Sequence, residues 1–196
     1  KNTMEDLLWM RKNGLEALIL KAAANGTPVF GICGGYQMLG ETLSDPDHVE
    51  EGGQMRGMEL LLTETILQKS KKRCQIEGVV DELDGIFKEI SGCRFSGYEI
   101  HMGETFDGRT AIAQNVIMSK TNKNVYGSYI HGIFDQAKIA DAILDALAKK
   151  KGVVLQDGAL LDYEAYKEKQ YDKLADTLRE YLNRSEERRV GKECLR

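Results

Sequence analysis

A single cysteine set among glycines constrains this chain more than any other feature: Gly31-Ile32-Cys33-Gly34-Gly35-Tyr36-Gln37-Met38-Leu39-Gly40. It follows the short apolar run Pro28-Val29-Phe30 and opens a helical pattern. That layout is a nucleophile elbow: a strand ends, the chain turns sharply, a helix begins, and one side chain projects alone. Glycines suit such a turn because it is strained and because backbone must pass close by. A thiol there also sits at a helix N-terminus, where the dipole favours thiolate. On this pattern alone, a buried structural cysteine beside a glycine-rich turn is the competing reading.

Periodicity supplies the surroundings of the elbow. Met4, Leu7, Leu8, Leu15, Leu18, Ile19 and Ala22 predict a helix over 4–24, stopped by Asn25-Gly26. Strands are predicted at 28–32, 57–65, 74–80, 95–105 and 125–130, with helices at 36–43, 136–150 and 162–183. In the 95–105 strand, Tyr98, Ile100 and Met102 share one face, and Glu99 and His101 the other. This order predicts an α/β fold, an open and mostly parallel sheet flanked by helices. Such a sheet normally begins with a strand, and this chain begins with a helix. Residues 1–183 are therefore expected to be an N-terminally truncated domain whose first strands lie upstream. In 184–196, eight of thirteen residues are charged, which predicts a disordered or non-native tail and removes weight from Cys194.

Composition narrows the function classes. A net charge of -4 gives no electrostatic case for nucleic acid. No apolar run approaches the ~20 residues of a membrane span. The polar, acidic start is not a secretory signal. The four cysteines form no closely spaced pair, so reduced thiols in the cytoplasm are expected, with neither a disulfide framework nor a metal site. No phosphate-loop motif occurs.

A cysteine nucleophile needs a proton-transfer partner, usually histidine. His131 ends the 125–130 strand and precedes Gly132. In open α/β sheets, sites lie beyond the carboxyl ends of strands, so Cys33 and His131 can meet although they are far apart in sequence. His101, following Glu99 on one strand face, is either a substrate-binding group or a residue hydrogen-bonded within the sheet. His48 lies in a polar loop and reads as solvated. Gln37, one helical turn beyond Cys33, is either a contact to a polar substrate group or a solvent-facing residue. A Cys–His pair fits peptide hydrolysis, amide hydrolysis and thioester-based acyl transfer, and residue types do not choose among them.

Three motifs carry a resemblance: residues 31–40, Gly97-Tyr98-Glu99-Ile100-His101-Met102-Gly103, and Tyr129-Ile130-His131-Gly132-Ile133-Phe134-Asp135. In this order they closely resemble the class I, triad-type glutamine amidotransferase domain of cobyric acid synthases. Lys1-Asn2-Thr3 looks like the end of a Pro-Gly-Ser-Lys-Asn-Thr loop in that family. The resemblance implies a flavodoxin-like fold and glutamine as substrate. Cys33 and His131 would be catalytic, and Gly34, Gln37, Glu99 and His101 would bind substrate. No cofactor is implied in this domain; ATP and magnesium would serve an N-terminal synthetase domain that amidates a corrinoid. Amidotransferases of other ligases, cobyrinic acid a,c-diamide synthase or lipid II amidation, and a cysteine peptidase-like hydrolase are the alternatives. Most of the wider class carries His-x-Glu, the acid orienting the histidine. Here Ile133 occupies that position, leaving Asp135 and Glu99 as candidates.

Overall fold

A computed structural model describes residues 2–155 and 163–182. The chain divides into two compact units, Lys1–Leu155 and Gln156–Arg196. The first opens with α1 (Thr3–Lys12) and α2 (Leu15–Ala24). The single helix expected over 4–24 is broken at Asn13-Gly14. Asn13 turns its side-chain amide back onto the Trp9 carbonyl (2.8 Å), and Gly14 takes a left-handed φ of 76°. This is the usual chemistry of a helix C-terminus. At the other end of α1, the Asn2 side chain caps Glu5, and the Glu50 carboxylate accepts the Thr3 and Met4 N–H groups (2.8 and 3.0 Å). Three otherwise unpaired donors are thereby satisfied.

β1 (Val29–Ile32) leads through Cys33 into the short α3 (Gly34–Leu39). The expected helix over 36–43 stops early. Gly40 is followed by β2 (Thr42–Asp45), which pairs antiparallel with β3 (Gly53–Arg56) and parallel with β4 (Glu64–Val79). The strand expected at 57–65 is absent over 57–63, because that segment wraps the end of α3. The N–H groups of Met58, Glu59, Leu60 and Leu61 donate to the carbonyls of Met38, Gly40 and Leu39 at 2.8–2.9 Å. Those donors close the helix end and are lost to any ladder. β4 instead starts at Glu64, well before the expected 74–80, and ends at Val79, with much of it exposed and its register shifting between Leu67 and Lys72. Its partner is the antiparallel β5 (Arg94–Asp107).

β6 (Thr110–Ala111), β7 (Ile117–Met118), β8 (Val125–Ser128) and β9 (Ile130–His131) follow, then α4 (Ala137–Lys151). The fold is α/β, and its sheets are mixed. One has the order β1-β8-β7, with β1 and β8 parallel; the other runs β3-β2-β4-β5-β6, with β9 added to β5. All four residues of β8 are buried. Val125 packs in one apolar cluster with Leu7, Leu39, Leu43 and Leu61. Tyr126, pointing the opposite way, packs in the other with Phe87, Phe95, Ile130, Ile133 and Ile139. Burial on both faces is what a central parallel strand requires. In the second unit, α5 (Tyr163–Tyr181) exposes Tyr166, Leu174, Leu178 and Tyr181. Residues 162, 183 and the charged tail 184–196 lie outside the described residues. No described helix is long and apolar enough to cross a membrane.

One buried carboxylate organises the loop between β2 and β3. Asp45 accepts the N–H groups of Val49, Glu50 and Gly52 (2.7, 2.8 and 2.9 Å). Burial raises its pKa, but these three donors outweigh burial and hold it below the usual carboxylate range. Replacing it, Asp45→Ala, should cost about 2 kcal/mol, since it strands donors that met a charged acceptor. Because the folded pKa is depressed, that contribution should be fully present above about pH 4, the unfolded aspartate value, and fade below it. Urea unfolding of both proteins at neutral and acidic pH checks both statements: the difference between them should shrink as the pH falls.

Candidate active site

The site begins with the elbow. Cys33 has φ 53° and ψ −112°, a left-handed conformation rare for a residue with a side chain. Such strain costs on the order of 1–3 kcal/mol and persists only where the surroundings impose it. Here they do. The Cys33 N–H donates to the Ser128 carbonyl (2.9 Å), extending the β1–β8 ladder by one residue, and its own carbonyl accepts the Gln37 N–H (3.1 Å). Gly31 makes the sharp turn sterically possible: a Cβ there would lie 2.7 Å from Leu39 Cδ1 and 2.8 Å from the Gly35 backbone. The Cys33 side chain is 2% exposed, and its thiol donates to the Ile100 carbonyl of β5 (3.4 Å).

His131 arrives by the neighbouring strand. β8 runs parallel to β1 with Ile32 opposite Ser128, so both chains leave the sheet at the same end. The Ser128 hydroxyl then shapes a bend, accepting the Ile130 N–H (3.1 Å) and donating to the Asn115 carbonyl (2.5 Å). Beyond the bend, β9 pairs antiparallel with β5, setting His131 opposite Tyr98. The two rings stack, centroids 5.0 Å apart and 4° from parallel. Thus Cys33 and His131 are both referenced to one short stretch of β5, the thiol to Ile100 and the imidazole to Tyr98. Ile133 is 0% exposed, a core residue. Asp135 closes the short 3-10 turn after it, its backbone N–H bonded to the Gly132 carbonyl (3.0 Å).

Gln37, Glu99 and His101 are joined in a second cluster. Gln37, 2% exposed, donates its amide to the Tyr129 hydroxyl (3.2 Å) and accepts from the Thr3 hydroxyl (3.5 Å). Tyr129 Oη and Thr105 share a 2.5 Å hydrogen bond, and Thr105 and Thr65 another of 2.9 Å. The His101 ring stacks on Tyr129, centroids 3.7 Å apart, and its Nδ1 donates to the Gly103 carbonyl (2.7 Å). Its Nε2 lies 3.4 Å from the Glu99 carboxylate, which also pairs with Lys72. With Nδ1 already donating, Nε2 can donate to Glu99 only as imidazolium. Burial pushes the Tyr129 phenol up; hydrogen bonds from Thr105, Gln37 and Thr65 oppose this, and the neighbouring Cys33 adds to it. Lys72, Glu99, His101, Gly103, Thr105 and Tyr129 line part of a cavity of about 380 Å³. Gly34, the first residue of α3, is buried behind Cys33. His48 sits apart, in the loop ordered by Asp45. Among the described residues, no group of three or more His, Cys, Asp or Glu side chains is placed to hold a metal ion.

Sequence reasoning missed Tyr129 and Tyr98 as members of the site. Both were visible as neighbours of named residues, Tyr129 two before His131 and Tyr98 one before Glu99, but strand alternation gave no reason to select them.

An α/β core with a strained cysteine elbow, and a histidine beyond the adjacent parallel strand, is consistent with the class I glutamine amidotransferase architecture. The chain belongs to the CobB/CobQ-like glutamine amidotransferase domain family, whose model matches residues 1–139. It is 48% identical to a cobyric acid synthase of Ruminiclostridium cellulolyticum over 93% of this chain and 38% of that protein. It is 43% identical to one from Lachnoclostridium phytofermentans, over 93% of this chain and 39% of the relative. A cobyric acid synthase of Moorella thermoacetica is 38% identical, again over 93% of this chain and 38% of that protein. The chain therefore spans well under half the length of these relatives.

Removing only the Tyr129 hydroxyl tests the polar cluster. Tyr129→Phe keeps the stack under His101 but leaves the Gln37 amide and Thr105 short of a partner. It should destabilise the fold by about 1–2 kcal/mol in urea unfolding.

Proposed function

We propose that this chain is the glutaminase region of a cobyric acid synthase, acting in the cytoplasm in cobalamin biosynthesis. The observation that supports this best is the common reference of Cys33 and His131 to one stretch of β5, together with relatives bearing that name. In this reading the Cys33 thiolate attacks the side-chain carboxamide carbon of glutamine, forming a C–S bond and a tetrahedral oxyanion. The Gly34 N–H, at the start of α3, donates to that oxyanion. His131 gives a proton to the departing nitrogen as the C–N bond breaks and ammonia leaves. It then takes a proton from water, which attacks the thioester, releasing glutamate and restoring the thiol. Gln37, Glu99 and His101 hold the amino-acid end of glutamine.

The ammonia would pass to a synthetase domain of the same protein and amidate the carboxylates of adenosylcobyrinic acid a,c-diamide. ATP and magnesium belong to that step. Among the described residues, no carboxylate cluster is fit to hold that metal. Amidotransferase supply to cobyrinic acid a,c-diamide synthase is the second reading, favoured only by a family description that covers both kinds of enzyme.

The glutamine analogue 6-diazo-5-oxo-norleucine should label Cys33, as mapped by mass spectrometry; labelling of Cys74 or Cys93 with Cys33 untouched refutes the assignment. Cys33→Ser should lower glutamine-dependent amidation by at least about a thousandfold. Amidation with added ammonia should persist in the same protein.

A further inference from the structure

We propose that Tyr98 is the positioning residue of His131, its ring fixing the plane of the imidazole by offset parallel stacking. This rests on the catalytic role given to His131 above. In most of the wider class an acid two residues past the histidine orients it. Glu99 is engaged by Lys72 and His101. Two residues past His131 stands Ile133, which has no polar atom to offer and is sealed in the core. Tyr98, in contrast, lies flat on the imidazole, with centroids 5.0 Å apart and planes 4° from parallel, inside the range of favourable ring stacking.

Three features make this contact more than a chance neighbour pair. The β5–β9 register puts Tyr98 directly opposite His131, so the backbone aligns the two rings before any side chain moves. Gly97 brings the strands unusually close: a Cβ there would lie 2.3 Å from the His131 carbonyl oxygen and 2.9 Å from Ile130 Cγ2. No larger residue allows that approach. Finally, Tyr98 is 46% exposed, among the large apolar side chains the fold leaves in solvent. A ring so poorly buried adds little to the core, yet it is the ring that covers the histidine.

A stacked face restrains tilt of the imidazole and does not itself engage either ring nitrogen, so it leaves the in-plane route of proton transfer unobstructed. It also favours the imidazolium that forms during turnover, since an aromatic face attracts a cation. The Cys33 thiol is tied to Ile100 on the same strand, so β5 sets the imidazole plane and the sulfur in one frame.

The test is glutaminase kinetics of the intact protein with Tyr98→Phe, Tyr98→Ala and His131→Ala. Tyr98→Phe keeps the flat face and should stay within about twofold of the parent, as stacking needs no hydroxyl. Tyr98→Ala should lower kcat about tenfold to a hundredfold with KM for glutamine unchanged, the signature of a misplaced group. Its melting temperature should stay close to the parent's. Unchanged kcat in Tyr98→Ala overturns the proposal. So does a raised KM at constant kcat, which would make Tyr98 a substrate contact, or a loss in Tyr98→Phe equal to that in Tyr98→Ala. Full activity in His131→Ala would overturn the functional reading itself, and is distinguishable from every outcome at Tyr98.

Discussion

The parallel pairing of β1 with β8 is the constraint on which the rest of the site depends. Two adjacent strands running the same way must release their chains at the same edge of the sheet, and here one releases Cys33 and the other leads to His131. The pairing also continues one residue past β1, through the Cys33 N–H to the Ser128 carbonyl. That extra bond helps hold Cys33 in its left-handed conformation. A strained residue is tolerated because the ladder on one side and α3 on the other leave it no relaxed alternative. Burial of β8 on both faces, Val125 toward one cluster and Tyr126 toward the other, anchors this pairing in the two cores.

β5 supplies the second coordinate. It belongs to the other sheet, yet it meets both Cys33 and His131: Tyr98 stands opposite His131 and the Ile100 carbonyl accepts from the Cys33 thiol, with Glu99 and His101 on its buried side. The alternation expected for this strand holds, with an inversion of the usual polarity. Tyr98 is turned outward and half exposed, while Glu99 and His101 are turned inward. Burying a carboxylate is tolerable only with partners, and Lys72 and His101 provide them. An apolar residue left outside and a charged one taken inside is a local conflict of the kind that clusters at functional sites.

How much of this was legible in the sequence follows from the range of the interactions involved. The elbow was legible because its determinants are consecutive: Gly31, Cys33 and the helix behind them. The strand before His131 was legible for the same reason, as a short run rich in valine, tyrosine and isoleucine. The break at Asn13-Gly14 was overlooked because apolar residues keep helical spacing across it, and periodicity alone outvoted the stop signal. The strand expected at 57–65 failed because what decides that segment is a set of carbonyls at the end of α3, some twenty residues earlier, which no local pattern reveals. β4 was under-extended because Lys69, Lys71, Lys72 and Arg73 lie on an exposed part of the strand with no apolar pattern; pairing with β5 on either side of its register shift, not burial, carries the strand through.

The clustered polar residues show the same dependence on distant partners. Gln37 could be read as a solvent-facing helix residue; in the fold it is buried because Thr3 and Tyr129 meet its two amide atoms. Thr3 belongs to α1, Tyr129 to the link between β8 and β9, and Thr105 to β5. The hydroxyl of Tyr129 thus joins the helix behind Cys33 to both strands that carry the rest of the site. In a low-dielectric interior, a satisfied chain of this kind specifies geometry more sharply than apolar packing, since any shift of one member leaves another unpaired. The elbow sets the conformation of Cys33, and the Gln37–Tyr129–Thr105 chain sets where α3 stands relative to β5. The site needs both, because the strain at Cys33 fixes the direction of its side chain but not its distance from β5.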